Sequence, residues 1–186
     1  MTGIATPPAL KIFVTVGTHE QGFPRLLSAI TEIVADDPGG AAWRIQTGPA
    51  SVDYPEHVHA QPTCTHQEML ANLRWADAMI SQASPGNVFT ALAMTAQPIV
   101  VARRHELSEH VDDHQTIFAR YLSENELAMT AYDTHSISAC LDALRAESFE
   151  SRNQRVMRLH QASLARTRSW VDRFGETIDE LALSQR

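Results

Sequence analysis

The chain has 186 residues, of which 44% are hydrophobic, and it carries a formal net charge of −7 at pH 7. This length permits one globular domain with a substantial core, and the acidic balance argues against binding of nucleic acid or of an anionic membrane surface. Two distant cysteines, Cys64 and Cys140, form no disulfide framework, which predicts a reducing cytoplasmic location. No apolar run approaches the roughly 20 residues of a membrane-spanning helix, and we expect no signal peptide.

Apolar runs and helical periodicity alternate along the chain. The runs predict β-strands at 11–16, 43–47, 57–59, 76–81, 98–102 and 126–130. Helices are predicted from Phe23 onward, from the capping box of Thr65 and Glu68 onward, and at 87–94, 116–122, 136–144 and 148–183. This order predicts an α/β fold in which a parallel sheet is covered by helices on both faces.

The C-terminal segment is predicted to be one long helix. We therefore expect an α/β domain at residues 1–147 and a helical extension at residues 148–186. Four large apolar residues of the extension lie at helical spacing on one stripe, namely Trp170, Phe174, Ile178 and Leu181. The stripe is expected either to pack on the α/β domain or to dock on a partner.

Three loops are predicted to lie on one edge of the sheet, because parallel strands place every strand-to-helix connection there. The first loop begins at Gly17 and Thr18, where glycine permits a tight turn and free helix amides can hold an anion. The second loop, at 81–87, has small residues that permit close approach of a ligand. The third loop, at 103–115, is dense in charged and hydrogen-bonding side chains, which suit a polyhydroxylated ligand with phosphates.

Several of these segments resemble the C-terminal domains of glycosyltransferase family 28. The resemblance rests on residues 12–18, 46–48 and 81–87, and above all on the block Glu109, His110, Val111, Asp112, Asp113, His114 and Gln115. The order and spacing of these pieces agree with the family over about residues 11–130. Within the family, the chain is most similar to the donor-binding subunits of two-component bacterial exopolysaccharide transferases, relatives of the catalytic subunit of the dolichol-linked N-acetylglucosamine transferase.

The resemblance implies a Rossmann-like domain that forms one half of a GT-B fold, the half that binds a UDP-sugar. It implies sugar and nucleotide contacts from His110, Asp112, Asp113 and Gln115, and diphosphate contacts from the second loop, here Gln82, Ser84, Gly86 and Asn87. It further implies a hexosyltransferase without a cofactor or a required metal ion, acting on a lipid-linked saccharide in polysaccharide biosynthesis. A membrane-associated partner subunit would supply the acceptor half and hold the chain at the inner face of the membrane; a homo-oligomer is also possible.

The second loop departs from the family pattern. Gln82 stands where the family has a histidine, Ser84 and Pro85 replace a glycine and a small residue, and Thr90 stands where some relatives have a ribose-binding carboxylate. Gln82 can donate to a phosphate oxygen, but it cannot carry a charge near neutral pH. These departures leave an alternative, a non-catalytic Rossmann scaffold or regulatory subunit with a degenerate donor site.

Sugar transfer from a nucleotide develops positive charge at the anomeric carbon and negative charge on the departing diphosphate. Arg103 or Arg104 can offset the negative charge. A base must also take the proton of the acceptor hydroxyl, and the candidates in the first loop are His19 and Glu20. The partner subunit is the alternative source of that base.

A metal cluster of a metallohydrolase is a hypothesis of a different class. Its ligands would come from the third loop: His105, His110, His114, Asp112 and Asp113. His110 and His114 face each other only if a helix runs through both. A second ligand pair is offered only by His57 and His59 on one strand.

Overall fold

A computed structural model describes residues 9–17, 22–37 and 40–184 of the chain. The strands in this part are β1 (Leu10–Thr15), β2 (Ala41–Gln46), β3 (His59–Gln61), β4 (Ala78–Ser81), β5 (Gln97–Val101) and β6 (Met129–Ala131). The α-helices are α1 (Pro24–Asp36), α2 (His66–Trp75), α3 (Pro85–Ala93), α4 (His114–Glu124), α5 (Thr134–Ala146) and α6 (Phe149–Ser184). Within these residues, no helix combines the length and the apolarity needed to cross a bilayer.

The six strands form one parallel sheet in the order β3-β2-β1-β4-β5-β6. β1 lies inside the sheet, where Ile12 is aligned with Trp43 of β2 and with Ala78 of β4. This is the strand order of the Rossmann fold, and the direction of winding reverses between β1 and β4. The predicted α/β fold is confirmed. The crevice at such a reversal is where open α/β sheets bind their ligands.

Helices cover both faces of the sheet because the inner strands are apolar on both sides. Ile12 and Val14 of β1 pack with α1 and α5 in one core cluster. Phe13 points to the opposite face, where it packs with α2 and α3. A third cluster joins α3, α4 and α6 over Val100 of β5. With both faces occupied, the carboxyl edge of the sheet is the natural place for a ligand.

The first turns of α6 pack on the α/β domain. Val156 is fully buried in the same cluster as Val88 of α3. Arg152 pairs with Asp77 at 2.8 Å, and their side chains are only 6% and 15% exposed. This buried ion pair ties the start of α6 to the start of β4. The predicted apolar stripe at residues 170–181 lies beyond the side chains that the structure describes.

The predicted strands differ from the observed ones by up to three residues at their ends, with the largest differences in two strands. The last strand is Met129–Ala131 rather than 126–130, because Glu126 has a φ of +57° and belongs to the preceding turn. The third strand is His59–Gln61 rather than 57–59. Both are edge strands of three residues, for which hydrophobic alternation is a weak signal.

Helix starts also differ from the prediction, and these differences matter for the site. α3 begins at Pro85 rather than Asn87, since proline suits the first helical position. α4 begins at His114 rather than at 116. Gly86, Asn87 and Gln115 therefore lie in the first turns of helices and not in loops, so their amides are oriented by helical geometry.

Candidate functional site

The loops after β1 and β4 meet at the switch point of the sheet. Gly17 has a φ of +76°, and a β-carbon added there would lie 2.3 Å from Nε2 of Gln82. Gln82 is only 9% exposed, and within the described residues its Oε1 has no hydrogen-bond partner. A buried acceptor without a partner costs about 1–3 kcal/mol. A ligand hydroxyl or N–H that reached this oxygen would recover that energy.

Two buried polar side chains hold the turn at Gly17 in place. The Gly17 N–H donates to Thr15 Oγ1 at 3.1 Å, and Gln46 Nε2 donates to the Gly17 carbonyl at 2.9 Å. The Thr15 hydroxyl also donates to Gln46 Oε1. Sequence reasoning gave neither residue a role, although a polar residue at the end of a buried strand was the available signal. The other predicted residues of this loop, Thr18 and the candidate bases His19 and Glu20, lie outside the described residues.

The start of α3 is a helix N-terminus without a side-chain cap. Ser84 is the N-cap residue, and its side chain makes no capping hydrogen bond. The first-turn amides of Gly86 and Asn87 therefore have no side-chain cap, and they carry the positive end of the helix dipole. A β-carbon added at Gly86 would meet no atom within 4 Å. The β-carbon side of Gly86, at the first turn of α3, is therefore open.

Arg103 is buried inside the third loop. Its side chain is 1% exposed and donates to the carbonyls of Val16 at 3.0 Å, Gly22 at 2.8 Å and Glu109 at 3.1 Å. Its guanidinium also lies 4.6 Å from the centre of the Phe23 ring. Burial lowers the pKa of Arg103, and the charge of Glu109 opposes that effect. Arg103 therefore joins the first and third loops, and of the two predicted phosphate ligands only Arg104 is exposed to solvent.

A second buried charge, Glu109, joins the third loop to α1. Arg25 donates to both Glu109 oxygens at 2.8 Å, and the Arg104 N–H donates to Glu109 Oε2 at 3.0 Å. Arg25 also donates to the carbonyls of Ala102 and Tyr132. Burial raises the pKa of Glu109, but the hydrogen bonds from Arg25 and Arg104 and the charges of Arg25 and Arg103 together outweigh it, so the pKa is lowered. The sequence block contained Glu109 but did not reveal this pair.

The Glu109→Gln variant is expected to lose about 1–3 kcal/mol of unfolding free energy at neutral pH, because a charged hydrogen-bond acceptor for Arg25 disappears. A carboxyl with a lowered folded pKa stabilises the fold above its unfolded pKa, and this stability is lost as pH falls through the folded pKa. The wild type should therefore lose stability on acidification below about pH 4.5 more steeply than the variant. Urea titrations at several pH values measure this, and parallel pH dependences would contradict it.

His110, Asp112 and His114 lie close together at the start of α4. Asp112 lies 3.2 Å from His110 Nδ1 and 2.7 Å from His114 Nδ1, and it accepts the His114 N–H at 3.0 Å. The backbone bond from His114, followed by its imidazole, lowers the pKa of Asp112. Among the described residues, no three His, Cys, Asp or Glu side chains are arranged to hold a metal ion. The metallohydrolase hypothesis thus gains no support.

Five of the predicted donor-binding residues in the described part of the chain line two cavities on opposite sides of α4. The α3–α4 cavity, of about 620 Å³, is lined by Ala83, Ser84, Pro85, His110, His114, Gln115, Ile117, Phe118 and Tyr121. The β5–β6 cavity, of about 570 Å³, is lined by Ala102, Arg104, Glu106, Asp113, Thr116, Ile117, Ala119, Arg120, Ser123, Glu124 and Tyr132. The structure therefore brings Ser84, His110 and Gln115 together, and it places Arg104 and Asp113 apart from them.

Several solved glycosyltransferase structures are similar to this chain. The chain superimposes on the calicheamicin glycosyltransferase CalG4 with a TM-score of 0.64 and 18% identity, covering 94% of this chain and 45% of that one. It superimposes on MurG of Acinetobacter baumannii with a TM-score of 0.63 and 17% identity, covering 84% of this chain and 46% of that one. It superimposes on the spinosyn rhamnosyltransferase SpnG, complexed with thymidine diphosphate, with a TM-score of 0.59 and 17% identity, covering 90% of this chain and 47% of that one. The chain thus spans less than half the length of these proteins and has the fold of one half of a GT-B enzyme.

The sequence itself assigns the family. The model of the glycosyltransferase family 28 C-terminal domain matches residues 11–168, which is most of the chain and includes the first turns of α6. The protein belongs to this family, as the motif resemblance predicted. No curated protein matches the sequence significantly.

Proposed function

We propose that the chain is the donor-binding subunit of a glycosyltransferase, which moves a hexose from a UDP-sugar to a lipid-linked saccharide in polysaccharide biosynthesis. One observation carries the proposal. In a family 28 domain, the turn at Gly17 and the uncapped start of α3 lie together at the switch point between β1 and β4. Helix amides at such a crevice suit the diphosphate of a nucleotide.

The geometry favours the α3 amides over the arginine pair as ligands of the diphosphate. Gly86 borders open space at the first turn of α3, whereas Arg103 donates to three backbone carbonyls. The sugar is then placed in the α3–α4 cavity, near His110 and Gln115. Because helix amides stabilise the negative charge that develops on the leaving diphosphate, transfer by this route does not require a metal ion. His19 and Glu20 remain our candidates for the base.

The acceptor half is proposed to reside on a second, membrane-associated polypeptide. The chain spans 45–47% of the GT-B structures above, which contain two such halves. The partner would carry the site for the lipid-linked acceptor and would hold this cytoplasmic subunit at the inner face of the membrane. The distal part of α6, with Trp170 and Phe174 on its predicted stripe, is our candidate docking element.

A non-catalytic subunit is the second candidate function. The observation that favours it is the close fit of Gln82 against Gly17, since this side chain occupies space at the switch point. A degenerate donor site would keep the fold and the partner interface but bind no nucleotide. Donor binding therefore separates the two candidates.

Calorimetric titration of the chain with UDP is expected to show saturable binding without added metal. Gly86→Ala should weaken UDP binding about tenfold or more without loss of stability, because its new methyl group enters the open space beside the first turn of α3. Ser151→Ala, on the outer side of α6, serves as the matched control for a small substitution and should bind UDP normally. Titration with thymidine diphosphate tests selectivity for the base. No binding of either diphosphate to the wild type would favour the non-catalytic subunit.

Transfer activity is expected only when a partner that carries the acceptor site is added. The physical reason is that a GT-B reaction takes place between two halves, and the described domain is one of them. The purified chain, given a UDP-hexose and membranes that contain the lipid-linked acceptor, should show only background transfer. Membranes that also contain the partner should give transfer well above that background. Robust transfer by the chain without a partner would show that the two-subunit proposal is wrong.

A further inference from the structure

The β5–β6 cavity contains polar groups that the fold does not use. Its volume is about 570 Å³, which is within the range of small-molecule sites. In the described contacts, five lining side chains take part in no hydrogen bond or ion pair: Asp113, Thr116, Arg120, Ser123 and Glu124. Tyr132 is 56% exposed at the same cavity, and its hydroxyl is also uncommitted. Together these groups offer donors, acceptors and one aromatic face to a ligand.

The backbone around this cavity is held rigidly by a buried ion pair. Arg25 donates to the Tyr132 carbonyl at 2.7 Å and to the Ala102 carbonyl at 2.8 Å. Its partner Glu109, 6% exposed, accepts the Arg104 N–H at 3.0 Å. The Arg25–Glu109 pair therefore holds the backbone of three lining residues, Ala102, Arg104 and Tyr132, which follow β5 and β6. The backbone of this cavity is thus fixed, and its exposed polar side chains are available to bond a ligand.

The chemistry of the lining selects the class of ligand. Three carboxylates, from Glu106, Asp113 and Glu124, disfavour a phosphate, and the density of charge disfavours an apolar molecule. A saccharide presents many hydroxyls, each of which both donates and accepts. Carboxylates accept from such hydroxyls, arginines donate to them, and the face of Tyr132 can cover the apolar side of a sugar ring.

We propose that the β5–β6 cavity is a saccharide subsite that holds a sugar of the acceptor glycan rather than the donor. This inference rests on the proposed transferase function. Ile117 lines both cavities, so the two are neighbours on either side of α4. A glycan sugar bound here lies beside the donor site and helps to align the growing chain.

Saturation-transfer NMR on the whole chain tests the subsite, with glucose, galactose, glucuronic acid and lactose as probes. At least one probe is expected to bind, and to stay bound when UDP is added to saturation. Tyr132→Ala and Arg120→Ala should each weaken that binding about tenfold. Arg158→Ala, another exposed helical arginine in no described ion pair, is the matched control and should change nothing. UDP binding by calorimetry is expected to be normal in all three variants.

Two results would overturn the subsite. Loss of the saccharide signal on addition of UDP would show that the sugar occupies the donor site instead. Absence of binding by every probe, in a chain that still binds UDP, would refute the subsite and leave the proposed function intact. If the chain binds a saccharide but no UDP, the proposed transferase function fails and the cavity must be assigned to a different sugar-binding role.

Discussion

Arg103→Ala is expected to destabilise the fold by about 3–5 kcal/mol, because the substitution leaves several buried groups without a partner. The guanidinium is 1% exposed and serves the carbonyls of Val16, Gly22 and Glu109, while it also stacks on Phe23. Removal also takes a positive charge away from Glu109. Since domains of this size are stable by only about 5–15 kcal/mol, a large part of the stability would be lost.

Urea denaturation followed by circular dichroism measures this effect. Arg103→Met keeps much of the side-chain volume and removes the hydrogen-bond donors. If the hydrogen bonds to the carbonyls matter more than the packing, the unfolding free energy of this variant should be well below that of the wild type. Arg104→Ala is the neighbouring control: its side chain is 38% exposed and its ion pair with Glu106 spans 3.5 Å, so the change should stay within about 0.5 kcal/mol. An Arg103→Ala protein as stable as the wild type would contradict the structural role.

Gly17→Ala should combine a loss of stability with a loss of nucleotide binding. A left-handed backbone at a non-glycine residue costs about 1–3 kcal/mol, and φ at Gly17 is +76°. The added β-carbon would also lie 2.3 Å from Gln82 Nε2, so the Gln82 amide must leave its place beside the turn. Because both loops border the proposed diphosphate site, UDP affinity is expected to fall by at least about tenfold.

A double variant separates the two causes. Gln82→Ala removes the colliding amide. Gly17→Ala made in that background should therefore lose less unfolding free energy than Gly17→Ala in the wild type, and the remaining loss is that of the left-handed backbone. Stability by urea titration and UDP affinity by calorimetry should both be measured for all four proteins. Equal costs in the two backgrounds would show that the Gly17–Gln82 contact does not constrain the switch point.

Arg103 shows how far a polar sequence block can be interpreted. The many charged residues at 103–115 predicted a polar loop after a buried strand, and this segment does follow the buried strand β5. It did not distinguish charges that face a ligand from charges that hold the loop. Arg103 and Glu109 are buried through contacts with Gly22 and Arg25, which are 81 and 84 residues away in the chain. No local pattern contains such partners.

Hydrophobic periodicity was sufficient for the parallel α/β fold, because burial on two faces imposes apolar strands and one-sided helices that are visible within a few residues. The 109–115 block, together with the segments at 12–18, 46–48 and 81–87, correctly indicated the family. Only the tertiary structure decided where the donors and acceptors lie. It placed Ser84 with Gln115 in one cavity and Arg104 with Tyr132 in another. The physical reason is that strand order and long-range hydrogen bonds determine which side of α4 each side chain occupies, and neither is encoded in neighbouring residues.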